Sequence, residues 1–157
     1  SSAASDVYKR QRSATSAVRQ VVDVAERPQS GVLDTCTYID LDVLEPSDLP
    51  AVPELTAITM AELHQGVAMA KDAAVRAART ELLGMAIVDF DPLPFDREAA
   101  SRYGTLVALT VAANRDPRPR RLDLMIAAIA SSRGLPLYTR NAGDFRHLDE
   151  TIDVVAV

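Results

Sequence analysis

The stretch Val32–Asp42, VLDTCTYIDLD, opens on an apolar pair, meets Asp34 at once, and carries Asp40 and Asp42 further along. An apolar run that stops on a polar side chain is the pattern of a buried strand handing over to a turn or short helix. Val32 and Leu33 are read as that strand, followed by a short helix or turn through Leu44. Asp34 then differs from Asp40 and Asp42, because it alone ends the strand. The other two are read as solvent-facing helix or loop charges.

The alternation continues along the chain. Pro46, Pro50 and Pro53 punctuate a loop, Leu55–Ile58 is a brief strand, and Thr59 opens a helix through about Ala70. A helix rich in Ala and Arg is expected from about Asp72 to Gly84, then a strand over Ala86–Phe90 that ends at Pro92 and Pro94. Asp96 is a good N-cap for a long helix in which Ala99, Tyr103, Leu106, Val107 and Thr110 keep helical spacing. Leu122–Arg133 is an apolar helix stopped by Gly134, and Leu135–Tyr138 and Ile152–Val155 are the last strands. Strands alternating with helices imply an α/β domain with a mainly parallel sheet covered on both faces. In such sheets ligands bind at the carboxyl ends of strands, beside the N-termini of the helices that follow.

Residues 31–157 form this regular domain. Residues 1–30 begin rich in Ser and Ala, end in a Pro-Gln-Ser break, and are read as an extension outside the fold, with one short helix candidate over Val18–Ala25. A chain of 157 residues buries enough surface to fold without disulfides or a structural metal. Cys36, the only cysteine, excludes an internal disulfide. No apolar stretch approaches the roughly 20 residues that span a bilayer, and the first residues lack the apolar core of a secretory signal. A cytoplasmic protein with no membrane partner is the expectation.

The net charge of −5 argues against a general nucleic-acid coat. Arg115, Arg118, Arg120 and Arg121 nevertheless cluster in the loop before the apolar helix. A metal held by acids would invert the local sign, so an acidic balance does not exclude a polyanionic substrate.

Four acids fall at strand-to-helix junctions: Asp34, Glu62, Asp123 and Asp144. Converging carboxylates repel one another unless a hard cation such as Mg²⁺ or Mn²⁺ joins them. Such a cation orients water for attack on a phosphodiester. Each acid also has a purely structural account. Thr59-Met60-Ala61-Glu62 is a capping box, Asp123 and Asp144 favour helix dipoles, and Asp34 can cap the next turn. The functional case is joint, and it is sharpest for Asp123, which precedes an almost wholly apolar helix.

Taken in order, VLDTCTYI (32–39), TMAEL (59–63), RLDLMIAAIA (121–130) and LYTRNAGDF (137–145) resemble the signature of PIN-domain ribonucleases, above all the toxin subunits of VapBC-type toxin–antitoxin pairs. The resemblance covers residues 31–157. It implies a three-layer α/β/α fold with a parallel sheet, Mg²⁺- or Mn²⁺-dependent endoribonuclease activity, a homodimer, and a VapB-type antitoxin that covers the site. Carried over by motif, Asp34, Glu62, Asp123 and Asp144 are the metal-binding and catalytic quartet, with Thr139 and Asn141 as polar helpers. Cys36 departs from the pattern, since Ser or Asn is usual there, and a thiol is the poorer hydrogen-bonding substitute.

Arg120 and Arg121 are candidates for the RNA backbone or for ion pairs within the domain. Cys36 is read as a small buried residue, and His64 and His147 as surface or capping histidines. Two rivals stay open. A PIN-like scaffold with a weakened site would act only through its partner. A haloacid-dehalogenase-like phosphatase would use Asp40 as nucleophile, which requires Asp40 to end a buried strand.

Overall fold

The computed structural model describes residues 29–157; the helix expected over Val18–Ala25 lies outside them. Four strands, β1 (Ser30–Leu33), β2 (Val52–Glu54), β3 (Leu137–Thr139) and β4 (Val154–Ala156), form one parallel sheet in the order β2-β1-β3-β4. Five α-helices accompany it: α1 (Thr35–Ile39), α2 (Ala57–Ala68), α3 (Ala73–Asp89), α4 (Arg97–Ala112) and α5 (Arg121–Ser132). A 3-10 helix over Ala142–Leu148 links β3 to β4.

The period of two along β1 divides the interior. Val32 enters one core with Leu106 of α4, Leu124, Ile126, Ala127, Ala128 and Ala130 of α5, and Leu137. Leu33 enters the other with Tyr38 of α1, Leu63 of α2, Leu83 and Ala86 of α3, and Tyr138. The sheet thus lies between two helical layers. The expected α/β/α arrangement is observed, and every strand pair is parallel. Among the described residues no helix is long and apolar enough to cross a membrane.

Two expectations about elements need correction. No strand forms over Ala86–Phe90: α3 runs unbroken to Asp89. Leu83 and Ala86 are buried on one face, while Ile87 and Val88 face solvent. Their β-branched side chains favour a strand, but an established helix adds a hydrogen bond with every further residue. The strand at Leu55–Ile58 lies instead at Val52–Glu54, and Thr56 rather than Thr59 caps α2, its hydroxyl accepting from Thr59 N at 3.1 Å. The capping box at Thr59–Glu62 therefore does not exist, and Glu62 lies inside α2. Asp96 caps α4 as expected, accepting from Ala99 N at 2.9 Å. Gly134, with φ of 63°, follows α5 in the left-handed region where glycine carries no Cβ penalty.

Candidate active site

β1 and β3 are the interior strands, and the chain leaves them toward opposite edges of the sheet. Asp34 follows β1 and Asp144 follows β3, so both lie at the reversal point where open parallel sheets form crevices. Glu62 comes from α2 and Asp123 from the first turn of α5. These two helices pack together.

Asp34 is buried and caps α1, its Oδ1 accepting from Thr37 N at 2.7 Å, and its own backbone N–H continues the ladder to Tyr138 O at 3.1 Å. Glu62 Oε2 accepts from the hydroxyl of Thr35, the residue after Asp34. Burial raises the Glu62 pKa above its usual value; the Thr35 bond opposes this, and the charges of Asp123 and Asp34 add to it. Asp123 is half-buried and its pKa is also raised, first by burial and next by Asp34, with Arg120 lowering it and Asp144 raising it. The carboxylates thus act on one another electrostatically. The Asp34 charge acts on both Glu62 and Asp123, and Asp144 acts on Asp123 as well.

Asp144 is placed differently. Its Oδ2 accepts from Arg120, whose NH1 also lies 3.9 Å from Asp123 Oδ2. Its Oδ1 lies 3.9 Å from Arg115 NH2. Arg115 NH1 is 3.4 Å from His147 Nδ1, and His147 Nε2 is 2.9 Å from Thr110 Oγ1, which donates to Leu106 O. Burial, and next the Arg115 charge, lower the His147 pKa and favour the neutral ring.

Of the helper residues, Thr139 is buried and its Oγ1 accepts from Asn141 N at 3.0 Å, fixing the turn out of β3. Asn141 is exposed at the start of the following 3-10 helix. Arg120 pairs with the acids, whereas Arg121 is exposed. Cys36 is exposed, which corrects its reading as a buried residue. Its thiol pKa is raised by burial of part of the side chain, next by Asp34 and then by Asp123, Glu62 and Asp40, so it stands on the rim of the acidic site. His64 is exposed, while His147 is tied into the Arg115 network. Asp40 follows α1 rather than a strand and pairs with Arg140, so the geometry of an aspartyl nucleophile does not arise there. Thr35 and the His147–Thr110 pair escaped the sequence reading, and Arg115 was noted only as one of the arginine cluster, without its acid partner. Thr35 carried a signal, since it follows Asp34 at the same junction; the His147–Thr110 pair carried none.

The donor type suits a hard divalent cation: carboxylate oxygens from separate elements. Asp34, Glu62 and Asp123 each keep one carboxylate oxygen clear of hydrogen bonds and ion pairs among the described residues. They do not yet form a closed cage, as no group of three His, Cys, Asp or Glu side chains among the described residues stands ready to hold a metal. A cavity of about 310 Å³ lined by Leu109, Arg146, His147, Asp149, Glu150 and Thr151 touches none of the four acids.

The chain is 36% identical over 130 residues to Ribonuclease VapC5 of Mycobacterium tuberculosis, spanning 81% of this chain and 93% of that protein. The crystal structure of VapBC-5, a toxin–antitoxin system of M. tuberculosis, aligns with a TM-score of 0.73 at 35% identity, covering 83% of this chain and all of that one (100%). FitAcB from Neisseria gonorrhoeae aligns with a TM-score of 0.59 at 28% identity, over 78% of this chain and 94% of that one. No protein-family model matches the sequence. The sequence relationship and the shared parallel α/β/α fold together place this chain in the VapC family of PIN-domain ribonucleases.

Proposed function

We propose that the chain is a Mg²⁺- or Mn²⁺-dependent endoribonuclease, the toxin of a toxin–antitoxin pair, which hydrolyses RNA phosphodiester bonds at the site of Asp34, Glu62, Asp123 and Asp144. The observation that carries this reading is the placement of Asp34 at the end of β1, with the adjoining Thr35 bonded to Glu62 of α2 and with Asp123 in the first turn of α5, the Asp34 charge acting on both Glu62 and Asp123. Setting the buried Asp34 beside the partly buried Glu62 and Asp123, all of like charge, is unfavourable for folding alone, and such sites are where function resides.

Asp34, Glu62 and Asp123 would hold the cation, with Asp144 completing the set. When bound, the cation would polarise a water and stabilise charge on the phosphate oxygens. Glu62 or Asp144 would help to take up the proton of the attacking water. Thr35 orients the Glu62 carboxylate, and the Asp34 cap holds Asp34 rigid on β1. The exposed Arg121 contacts the RNA backbone. The regulatory partner is an antitoxin of the VapB type, as in the toxin–antitoxin complexes whose toxins share this fold, and a second copy of the chain completes the assembly.

The full chain incubated with structured RNA should cleave it with Mg²⁺ or Mn²⁺ and not in excess chelator. Asp34→Asn and Asp123→Asn should each lower the rate by more than the roughly 10- to 100-fold typical of losing an outer-sphere partner. Metal-independent cleavage, or full activity in both variants, would overturn the assignment.

A further inference from the structure

Asp144 differs from the other three acids in one respect: each of its oxygens faces an arginine. Oδ2 is bonded to Arg120 and Oδ1 lies 3.9 Å from Arg115 NH2. Asp34, Glu62 and Asp123 each keep one oxygen out of any hydrogen bond or ion pair among the described residues. Arg120 also reaches toward Asp123, three residues along and one helical turn away. Its guanidinium therefore lies between two of the acids expected to hold a divalent cation.

A carboxylate oxygen in contact with a guanidinium has its negative charge satisfied, and a divalent cation on the same oxygen would stand a few ångströms from a like charge. Two like charges so placed repel, a dication more strongly than a monocation. The two cations therefore compete for that oxygen. Arg120 is fitted for the role: it arrives at the N-terminal end of α5 with its side chain 43% exposed, so it is able to swing outward. Arg115 is backed through His147 and Thr110, so it is the more fixed of the two.

We propose that Arg120 is an internal counter-cation of the acidic site. In the metal-free chain it neutralises Asp123 and holds Asp144, and Asp144 becomes a metal ligand only when Arg120 lets go. The inference rests on the metal-site reading above and adds a sequence to it: a cation enters on the Asp34, Glu62 and Asp123 side, and occupation of the Asp144 side is gated by Arg120. Once released, Arg120 is beside Arg121 and free to meet a substrate phosphate.

Titration calorimetry with Mn²⁺ alone, on the full chain, tests this without reference to cleavage. Arg120→Gln should bind Mn²⁺ about tenfold tighter than wild type, within the range by which mutually coupled ligands alter each other's affinity. Arg120→Lys keeps the charge but loses the planar fork, and should fall between the two. This second variant keeps the test decisive if Arg120→Gln folds poorly in chelator, where two carboxylates are left unneutralised. Mn²⁺ binding to wild type that is as tight as, or tighter than, binding to the variants overturns the gating role and leaves the metal site standing. Binding to neither wild type nor variants overturns the metal site and the gate together.

Discussion

Asp123 lies half-buried in the first turn of α5, where the helix dipole favours a carboxylate but burial and the charges of Asp34 and Asp144 oppose one. Its folded pKa lies above the usual 3.8, and that of Glu62 lies above 4.5. A raised acid pKa means that the folded chain binds the proton more tightly than the unfolded chain. The associated stability is complete below the unfolded value and is lost as pH rises through the folded one. At neutral pH both charges therefore strain the metal-free fold. Asp123→Asn and Glu62→Gln should melt at higher temperature than wild type in chelator at pH 7, with the gap closing toward pH 4. A lower melting temperature for Asp123→Asn at pH 7 would mean that its ion pair with Arg120 outweighs burial and repulsion. His147 has the opposite sign: its lowered pKa gives stability that is present above 6.5 and lost as pH falls through the folded value. At this scale the place of Asp34 and Asp123 at junctions was legible in the chain, whereas Glu62 lies further inside its helix than its sequence suggested. The partners of the acids were not legible. Arg120 and Arg121 are adjacent and chemically identical, and only the turn into α5 sends one to Asp144 and leaves the other in solvent.

Among the elements, α1 and α2 show how local chemistry positions the site. Asp34 caps α1 with one oxygen and keeps the other clear of hydrogen bonds and ion pairs among the described residues, so one carboxylate can serve the fold and the proposed site together. Thr56 does the same work for α2 and is fully buried. Thr56→Ala should cost about 1 kcal/mol of stability, a drop of about 2–4 °C in Tm by calorimetry. β1 has no room to spare: a Cβ at Gly31 would stand 2.4 Å from Tyr138 Cε2 and 2.8 Å from Cδ2. Gly31→Ala should therefore destabilise by about 1–3 kcal/mol, read from urea unfolding with unchanged m-value. Elements with strong boundaries were legible, such as α4 behind its Asp96 cap. The capping signals at Thr56 and Thr59 are chemically equivalent in sequence. The choice between them rests on β2 ending at Glu54 and on Leu93 bonding Leu55 and Ala57. The apolar run at Ala86–Phe90 misled for a related reason. Its residues favour a strand, and only the packing of Leu83 and Ala86 on one face keeps it helical.

For the molecule as a whole, the proposed metal site would link cation binding to the stability of the fold. A ligand that binds only the native state stabilises it by about 2.7 kcal/mol at 100 times its Kd, so Mn²⁺ at that excess should raise the melting temperature by about 5–10 °C. Chelator should reverse the shift, and Asp34→Asn should show little of it; an equal shift in that variant would place the ion elsewhere. The sequence by itself determined the class of fold and named the four acids proposed as the site. Strand–helix alternation selects a parallel sheet, and a parallel sheet presents the ends of its strands and the starts of its helices at one edge. What the tertiary structure alone decided is which charges meet. Glu62 finds Thr35 across 27 positions, and Arg120 finds Asp144 across 24. Such contacts depend on how α2 and α5 pack together and on the turn that leaves β3. Side-chain charge is a local property of the sequence, whereas the field each charge feels is set by neighbours that only the folded chain supplies.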